Sequence, residues 1–433
     1  MIALNTLQDA QLPQLSTVLN PAMMQLVLER ALNCQVKSCQ ILQCRYKPSK
    51  TCLVSYALTM LGRHQEQIVS VRIYPENQSL AHYQKARATA SLNQHVLHIP
   101  ALEMVVWVFP HDRKIRALRD ITDTERLQTE ILPQVVAEGF GADWQIAALH
   151  SSIVHFVAEH TCTVKVQLDL TKAGERKSPV LFGKTYYNDH GATTFQAMQS
   201  LRQHGLHLAR PLSYQPHLQT LWQAGLEGQT LNDLMTEPCF AALLSQAAAA
   251  VARLHSLGTQ VTAVAHTSSN RLETLAKTAS LLSLVKPDSK ARMDTLASQL
   301  VETSDMRPTR PMALLHGDLH LKNFFVTTDQ IALIDLDNVC LGDPLADLGS
   351  FVASLYYRQL LGELPNASEL IHAFIEVYRR HVSWQFSDVE LRWHVVASLL
   401  GERVSRCITR LKASHLIDEL LAVATRIQAG DEP

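Results

Sequence analysis

The sequence of 433 residues is short of charge: Asp, Glu, Lys and Arg make up 18%, against ~25% in an average globular protein. Long disordered tails are therefore not expected. The formal net charge is −1, which argues against a general nucleic-acid binder and against a polybasic protein of the membrane surface. We expect neither nucleic acid nor a membrane as a partner.

The sequence also lacks membrane and export segments. No apolar run reaches the ~20 residues that a membrane-spanning helix needs. A signal peptide has a basic segment followed by an apolar one, and the first twenty residues contain no such pair. Linkers rich in glycine, serine or proline are missing as well. These observations favour a soluble cytoplasmic protein.

The cysteines do not have the spacing of a disulfide framework or of a structural zinc site. Four of the eight lie close together in the chain: Cys34, Cys39, Cys44 and Cys52. They could hold a metal, or they could be free thiols in strands. Since no C-x-x-C pair is present, the second interpretation fits better.

Strand patterns dominate the first half of the chain and helical patterns the second. Residues 1–38 have a helical period with a helix start at Asn20-Pro21. Strand-like runs fill residues 39–74 and 147–187, and each block is followed by a helical segment. After Glu227 the sequence is largely helical. This order predicts an α+β fold with two lobes.

The two strand-rich blocks resemble each other. TCLVSYALTM (51–60) matches TCTVKVQLDL (161–170), and Arg72 follows Thr51 by 21 positions where Lys184 follows Thr161 by 23. We interpret this as a weak repeat of a strand–strand–strand–helix unit, although two meanders could share the pattern by chance. The predicted domains are therefore an N-terminal region that could be a degenerate small-lobe repeat, a small lobe and a helical large lobe: residues 1–145, 146–226 and 227–433.

The most informative stretch is residues 311–357. It contains HGDLHLKN and, after a short strand, IDLDNVCLGDPLADLG. Asp318 follows one apolar run, Asn323 lies five positions later, and Asp335 ends a second apolar run. The pattern predicts three oxygen-bearing side chains on adjacent loops.

These residue types suit phosphoryl transfer. Magnesium prefers carboxylate and amide oxygens and must keep room for phosphate and water. A further carboxylate must take the proton of the acceptor hydroxyl. The kinase pattern H-x-D-x-x-x-x-N followed by a second Asp has this composition, and His316, Asp318, Asn323 and Asp335 keep its spacing.

The two motifs together resemble the aminoglycoside phosphotransferase and choline kinase group. That group has a protein-kinase-like two-lobed fold and phosphorylates small hydroxylated molecules, with glycine where protein kinases have arginine, as at Gly317. The resemblance implies ATP and Mg²⁺ as cofactors and a sugar, aminoglycoside or amino alcohol as acceptor. It also implies that Asp318 is the catalytic base, that Asn323 and Asp335 hold magnesium, and that Asp347 braces the catalytic loop.

The nucleotide side has weaker motifs. Lys184, in VLFGKTYY, resembles the lysine that holds the α- and β-phosphates. The corresponding residue of the earlier block is Arg72, and arginine does not replace a compact ammonium, so the earlier block reads as a degenerate copy. Adenine is expected at the junction of the lobes, beside Gln223, Ala224 and Gly225.

Two departures from the pattern keep an alternative open. No Asp or Glu lies between Asp189 and Glu227 to pair with Lys184, although Gln196 or Gln199 could take that place, and no glycine-rich loop occurs near residues 153–165. A nucleotide-binding pseudokinase with a regulatory role is therefore the alternative. A protein kinase fits less well, because Asp335 and Ala346 are only 11 positions apart.

Three arginines share one face of a C-terminal helical segment: Arg403, Arg406 and Arg410. They could form a subsite for an acidic or phosphorylated acceptor. The favoured interpretation is a solvated basic face near a helix end.

Overall fold

A computed structural model of the protein describes residues 8–62, 66–89, 95–261, 264–265, 268–304, 310–328 and 330–430. The chain divides into two compact units. The first comprises the described residues of Met1–Ala192, Leu212–Gln223 and Ile408–Ala413, and the second those of Thr193–Pro211, Ala224–Cys407 and Ser414–Pro433.

The described chain begins with two short helices, α1 (Leu15–Val18) and α2 (Pro21–Leu32). The Asn20 side chain accepts hydrogen bonds from the backbone N–H groups of Ala22 and Met23, so the predicted helix start is confirmed. The helix does not extend to residue 38 as predicted. Asn33 has a φ of 50°, a left-handed conformation that ends the helix.

The first sheet has five antiparallel strands in the order β1-β2-β3-β5-β4. Helix α3 (Ser79–Thr89) connects β3 to β4. The strands are β1 (Val36–Lys47), β2 (Thr51–Met60), β3 (Glu66–Ile73), β4 (Val96–Ile99) and β5 (Met104–Val108). A 3-10 turn at Pro100–Leu102 joins β4 to β5. After β5 the chain is helical, with α4 (Leu118–Thr122), α5 (Thr124–Arg126), a π-helical segment (Leu127–Ile131) and α6 (Leu132–Phe140).

The second sheet repeats the strand order of the first. Its path is β6-β7-β9-β11-β10, with β8 paired to β7, and α7 (His190–Gln203) connects β9 to β10. In the two sheets Arg72 pairs with Leu53, and Lys184 pairs with Thr163, the third residue of the matching TCx motif. The predicted strand–strand–strand–helix repeat is thus present. The strands are β6 (Gln145–Val157), β7 (Thr161–Lys172), β8 (Glu175–Lys177), β9 (Val180–Tyr186), β10 (Pro211–Gln215) and β11 (Thr220–Ala224).

The remainder of the chain is mainly helical, as the sequence predicts. Helix α11 lies at its centre, and its first twelve residues are all buried. The helices are α8 (Phe240–Ser256), α9 (Ser268–Val285), α10 (Lys290–Glu302), α11 (Leu345–Leu360), α12 (Ala367–His381), α13 (Asp388–Ser398), a π-helical segment (Leu399–Val404), α14 (Ser405–Thr409) and α15 (Ile417–Ala429).

Two three-stranded sheets of short strands carry the loops of the candidate site. Their orders are β12-β15-β16 and β13-β17-β14. The strands are β12 (Gln229–Thr230), β13 (Val264–Ala265), β14 (Ala313–Leu315), β15 (Phe324–Val326), β16 (Ile331–Leu333) and β17 (Cys340–Gly342). The predicted α+β class, rich in sheets at the N-terminal end and in helices at the C-terminal end, is confirmed.

The clustered cysteines lie on or beside the first two strands as thiols and not as disulfides. The Cys44 and Cys52 sulfur atoms are 3.5 Å apart. Within the described ranges, no group of three or more His, Cys, Asp or Glu residues has the arrangement of a metal site. None of the helices in those ranges has the length and apolar character to span a membrane.

Candidate active site

The catalytic loop, residues 316–323, begins where β14 ends and is fixed there by a buried carboxylate. Asp347, 2% exposed on α11, accepts hydrogen bonds from the backbone N–H groups of His316 (2.6 Å) and Gly317 (3.0 Å). It also accepts one from His255 Nε2 at 3.2 Å. Burial would raise the pKa of Asp347, but the hydrogen bond from His255 and its charge outweigh this and lower it. Asp347 therefore braces the loop as an ionised acceptor, as predicted.

Gly317 is required by the backbone of this loop. Its φ is +80°, in the left-handed region that residues other than glycine rarely adopt. A Cβ atom at this position would lie 2.1 Å from the carbonyl oxygen of Asn338. Neither the arginine of protein kinases nor an alanine fits here without a shift of the backbone.

One hydrogen bond within the catalytic loop fixes its shape, and two more join the loop to the segment of Ile334. Asn323 Nδ2 donates to the carbonyl oxygen of Asp318 at 2.8 Å. The backbone N–H of Ile334 donates to the carbonyl oxygen of Asn323 at 3.0 Å, and His316 Nε2 donates to the carbonyl oxygen of Ile334 at 2.9 Å. Asp335 directly follows Ile334, so the structure brings Asp318, Asn323 and Asp335 onto neighbouring segments.

Asn323 and Asp335 offer the hard oxygen ligands that magnesium prefers. The hydrogen bond to Asp318 uses the amide nitrogen of Asn323, so the atom that this residue can offer to a cation is its oxygen, Oδ1. Asp335 is exposed and has left-handed backbone angles, φ 59° and ψ 55°. Such angles cost energy for a non-glycine residue, and strained positions of this kind often occur at functional sites. The donor set fits Mg²⁺.

Asp318 is partly buried and has cationic and imidazole neighbours. Arg406 Nη2 donates to its Oδ1 at 2.9 Å, and His320 Nε2 lies 3.7 Å from Oδ2. Burial would raise the pKa of Asp318, but Arg406 and His320 outweigh it and hold the pKa below its usual value. Burial lowers the pKa of His320 to about 4, so His320 is neutral near pH 7. Asp318 is ionised there, as a base must be.

The favoured interpretation of the three C-terminal arginines is wrong for two of them. Arg403 is 6% exposed, and it donates to the Ser350 carbonyl oxygen at 3.2 Å. Burial lowers its pKa to about 10. Arg406 is partly buried and pairs with Asp318. Only Arg410 is exposed. The helical period predicted that they share a face, but the neighbours of that face come from chain segments 53 and 88 positions away.

The residues predicted for the nucleotide lie in and beside the second sheet. Lys184 is on β9, with Nζ 5.6 Å from the ring centre of Tyr186. Gln223 and Ala224 end β11, and Gly225 follows it. The Ala224 N–H already donates to the Arg210 carbonyl oxygen at 2.9 Å. The roles assigned to these four residues stay predictions.

Sequence reasoning missed His320 and His255 as parts of the site. His320 stands within HGDLHLKN, two positions after Asp318, so its nearness to the carboxylate could have been noticed. His255 is the last residue but one of α8, and its Nδ1 lies 2.7 Å from the Tyr378 hydroxyl, which links it to α12. No local pattern marks that contact.

Comparisons with known proteins give a family match for part of the chain and several similar structures. Residues 189–381 match the phosphotransferase enzyme family. No curated protein sequence matches the chain. Solved structures with a similar fold include an aminoglycoside phosphotransferase in complex with AMP-PNP and hygromycin B. Its sequence identity is 13% and its TM-score 0.48, and the match covers 70% of this chain and 98% of that one.

Two further structures are similar. A glucosamine kinase in complex with glucosamine, ADP and inorganic phosphate has 14% identity, TM-score 0.46, and coverage of 66% of this chain and 83% of that one. A choline/ethanolamine kinase family protein from Mesorhizobium loti has 17% identity, TM-score 0.42, and coverage of 61% and 83%.

The family match spans the catalytic loop, Asp335 and Asp347. The matched residues are similar to phosphotransferases, and the predicted class of enzyme, a kinase, is confirmed. The resemblance to the aminoglycoside phosphotransferase and choline kinase group is confirmed.

Proposed function

We propose that the protein transfers the γ-phosphate of ATP to a hydroxyl group of a small molecule, namely a sugar, an aminoglycoside or an amino alcohol. The observation that carries the proposal is the hydrogen-bonded convergence of Asp318, Asn323 and the segment of Asp335. Phosphoryl transfer depends mainly on positioning and on electrostatic stabilisation, and this arrangement fixes one carboxylate apart from two potential metal ligands.

Asp318 is the proposed general base. Its carboxylate takes the proton of the acceptor hydroxyl while the hydroxyl oxygen bonds to the γ-phosphorus. The bond from that phosphorus to the oxygen bridging it to the β-phosphate breaks, and ADP leaves. The products are the phosphate ester, ADP and one proton.

Asn323 Oδ1 and the Asp335 carboxylate are the proposed ligands of magnesium. When bound, Mg²⁺ offsets the charge of the β- and γ-phosphates. The residues themselves contribute position. The Asn323 amide is oriented by its hydrogen bond to the Asp318 backbone. Asp335 is positioned by the preceding residue, Ile334, whose backbone N–H donates to the Asn323 carbonyl oxygen. Lys184 and the backbone of Gln223, Ala224 and Gly225 are proposed to hold the nucleotide.

Arg406 has a place in the same proposal. Its ion pair occupies one oxygen of the Asp318 carboxylate, so a bound acceptor must share that carboxylate with the guanidinium or displace it. An acceptor that carries its own acidic group would give Arg406 a new partner. This property favours acceptors with a carboxylate or a phosphate beside the reacting hydroxyl.

The experiment that tests the proposal measures ADP release by the purified protein with Mg·ATP across sugars, aminoglycosides and amino alcohols, including acidic members of each class. Acceptor-dependent ADP release supports it. If Mg·ATP binds but no acceptor stimulates ADP release, the alternative applies, a nucleotide-binding pseudokinase with a regulatory role. The sequence contains no Asp or Glu at residues 190–226, the stretch in which the kinase pattern predicts a glutamate, and this favours that alternative.

A further inference from the structure

A polar cavity opens in the first unit, in the N-terminal repeat. Its volume is about 340 Å³, and it lies beside Arg72, the residue that matches Lys184 in the sheet register. This volume is at the lower end of the range for small-molecule sites. Three of the described residues that line the cavity are cationic, namely Lys50, Arg72 and Arg113. Thr51, Tyr74 and His82 also line it, and none of the described lining residues is Asp or Glu.

Two of the cations are held rigidly by one buried carboxylate. Glu159, 4% exposed, accepts from Nε of Arg72 at 3.0 Å and from Nε of Arg113 at 2.8 Å. It also accepts from Nη2 of each arginine at 2.6 Å. Burial would raise the pKa of Glu159, but the two arginines together lower it. The two guanidinium groups share this one carboxylate, which holds both of them in fixed positions.

The arginines retain donors that this pairing does not use. Each guanidinium has five N–H groups, and the bonds to Glu159 use only Nε and Nη2. Nη1 of Arg72 donates to the Thr51 hydroxyl at 3.1 Å, while Nη1 of Arg113 takes no part in the pairing with Glu159. Planar donors of this kind suit phosphate oxygens.

Tyr74 supplies an independent observation. The residue is 3% exposed, and among the described residues its buried hydroxyl has no hydrogen-bond partner. Burial raises the pKa of Tyr74 to about 12, so the hydroxyl keeps its proton and remains a donor. The ring stacks on His82, with 4.1 Å between ring centroids. A buried donor without an acceptor costs free energy, and a ligand rich in acceptor oxygens would satisfy it.

We propose that this cavity binds a small molecule bearing a phosphate group, with Arg72, Arg113 and Lys50 as cations and the Tyr74 hydroxyl as a further donor. The N-terminus of α3, which lies beside the cavity, is not part of the site. The Glu103 carboxylate already accepts from the Ser79 N–H there, at 2.9 Å. The site lies outside the residues that match the phosphotransferase family, so it does not depend on the proposed kinase activity.

The test is calorimetric titration of the full-length protein with inorganic phosphate, with sodium acetate at equal ionic strength as the comparison. Wild-type protein should bind phosphate saturably and more tightly than acetate. Tyr74→Phe and Lys50→Gln should each weaken phosphate binding roughly tenfold, the usual effect of losing one charge-assisted hydrogen bond. Lys37→Gln, at an exposed position on β1 that does not line the cavity, should not change it.

The two variants also separate a binding role from a structural one. Lys50 is exposed, and Tyr74→Phe removes a hydroxyl that has no hydrogen-bond partner in the described part of the chain, so neither should lower the melting temperature. Lack of saturable phosphate binding by the wild type overturns the proposal. So does phosphate affinity in Tyr74→Phe and Lys50→Gln equal to that of the wild type, because the phosphate would then bind elsewhere.

Discussion

At the scale of single residues, Asp318 is subject to opposing influences on its charge. Burial favours the neutral acid, whereas Arg406 and His320 favour the carboxylate and prevail. Because the pKa of Asp318 is held low, the carboxylate persists to more acidic pH than in an ordinary aspartate. The ion pair keeps the group ionised and also engages one of its oxygens.

Arg406→Gln should therefore move the acidic limb of kcat/KM to higher pH. Without the guanidinium the pKa of Asp318 rises, so the base becomes protonated at a higher pH. The measurement is kcat/KM against pH with an acceptor found by the screen. Arg406→Lys is the control, since it keeps the charge and should leave the limb nearer to its original position. An acidic limb that does not move in Arg406→Gln would show that Asp318 does not control it.

At the scale of elements, the start of α11 is stabilised by carboxylates that are ionised in the fold. Asp343 accepts from the Leu345 N–H at 3.0 Å, and His394 Nε2 lies 3.3 Å from its Oδ2. Burial opposes ionisation, but His394, the Leu345 N–H and Arg310 together lower the pKa of Asp343 to about 2. In the unfolded chain the pKa of Asp343 is near 3.8. Because its pKa is lower in the fold, the charge of Asp343 stabilises the fold at pH values above 3.8, and this stabilisation is lost as the pH falls toward 2.

Asp343→Asn should reduce the free energy of unfolding at pH 7 by about 2 kcal/mol. Near pH 2 the loss should be small, because Asp343 is then becoming protonated in the wild type as well. Urea unfolding of both proteins at the two pH values provides the comparison. An equal loss of stability at pH 7 and pH 2 would contradict the assigned role of the charge.

The elements also show how far the sequence allowed the site to be predicted. The spacing of His316, Asp318, Asn323 and Asp335 predicted adjacent loops, because short apolar runs on either side of the motifs form strands. The sequence did not predict that Arg406 meets Asp318. Residues 88 positions apart pair only because of how the helices pack, and a helical period says nothing about the partner of a face. The same holds for the contact of His255 with Asp347.

At the scale of the whole molecule, the chain contains two sheets of the same topology with different residues at one matched position. Lys184 and Arg72 have equivalent strand partners, yet Arg72 is tied to a buried glutamate. The repeat was predictable because its TC-containing strands keep their pattern. The pairing of Arg72 with Glu159, which Arg113 shares, was not predictable, since Glu159 and Arg113 come from other parts of the sequence.

Lys184→Gln should weaken Mg·ATP binding by about tenfold or more, since it removes a charge proposed to contact the phosphates. Lys165→Gln is the matched control, because Lys165 is exposed on the adjacent strand β7 and is not proposed to contact nucleotide. Nucleotide affinity can be measured by calorimetry. If both variants bind Mg·ATP as the wild type does, Lys184 is an ordinary strand lysine and the assignment of the small lobe fails.

The central claim is that Asp318 acts on the acceptor whereas Asp335 acts on the metal and nucleotide. The decisive measurement compares Mg·ATP affinity and acceptor-dependent ADP production in Asp318→Asn and Asp335→Asn, with melting temperatures as the check on folding. Asp318→Asn should lower ADP production ~10² to 10⁴-fold and leave Mg·ATP affinity nearly intact. Asp335→Asn should weaken Mg·ATP binding itself, because it removes a negative charge from the metal. Equal loss of Mg·ATP binding in both variants would contradict the division of roles, and full activity in both would contradict the kinase assignment.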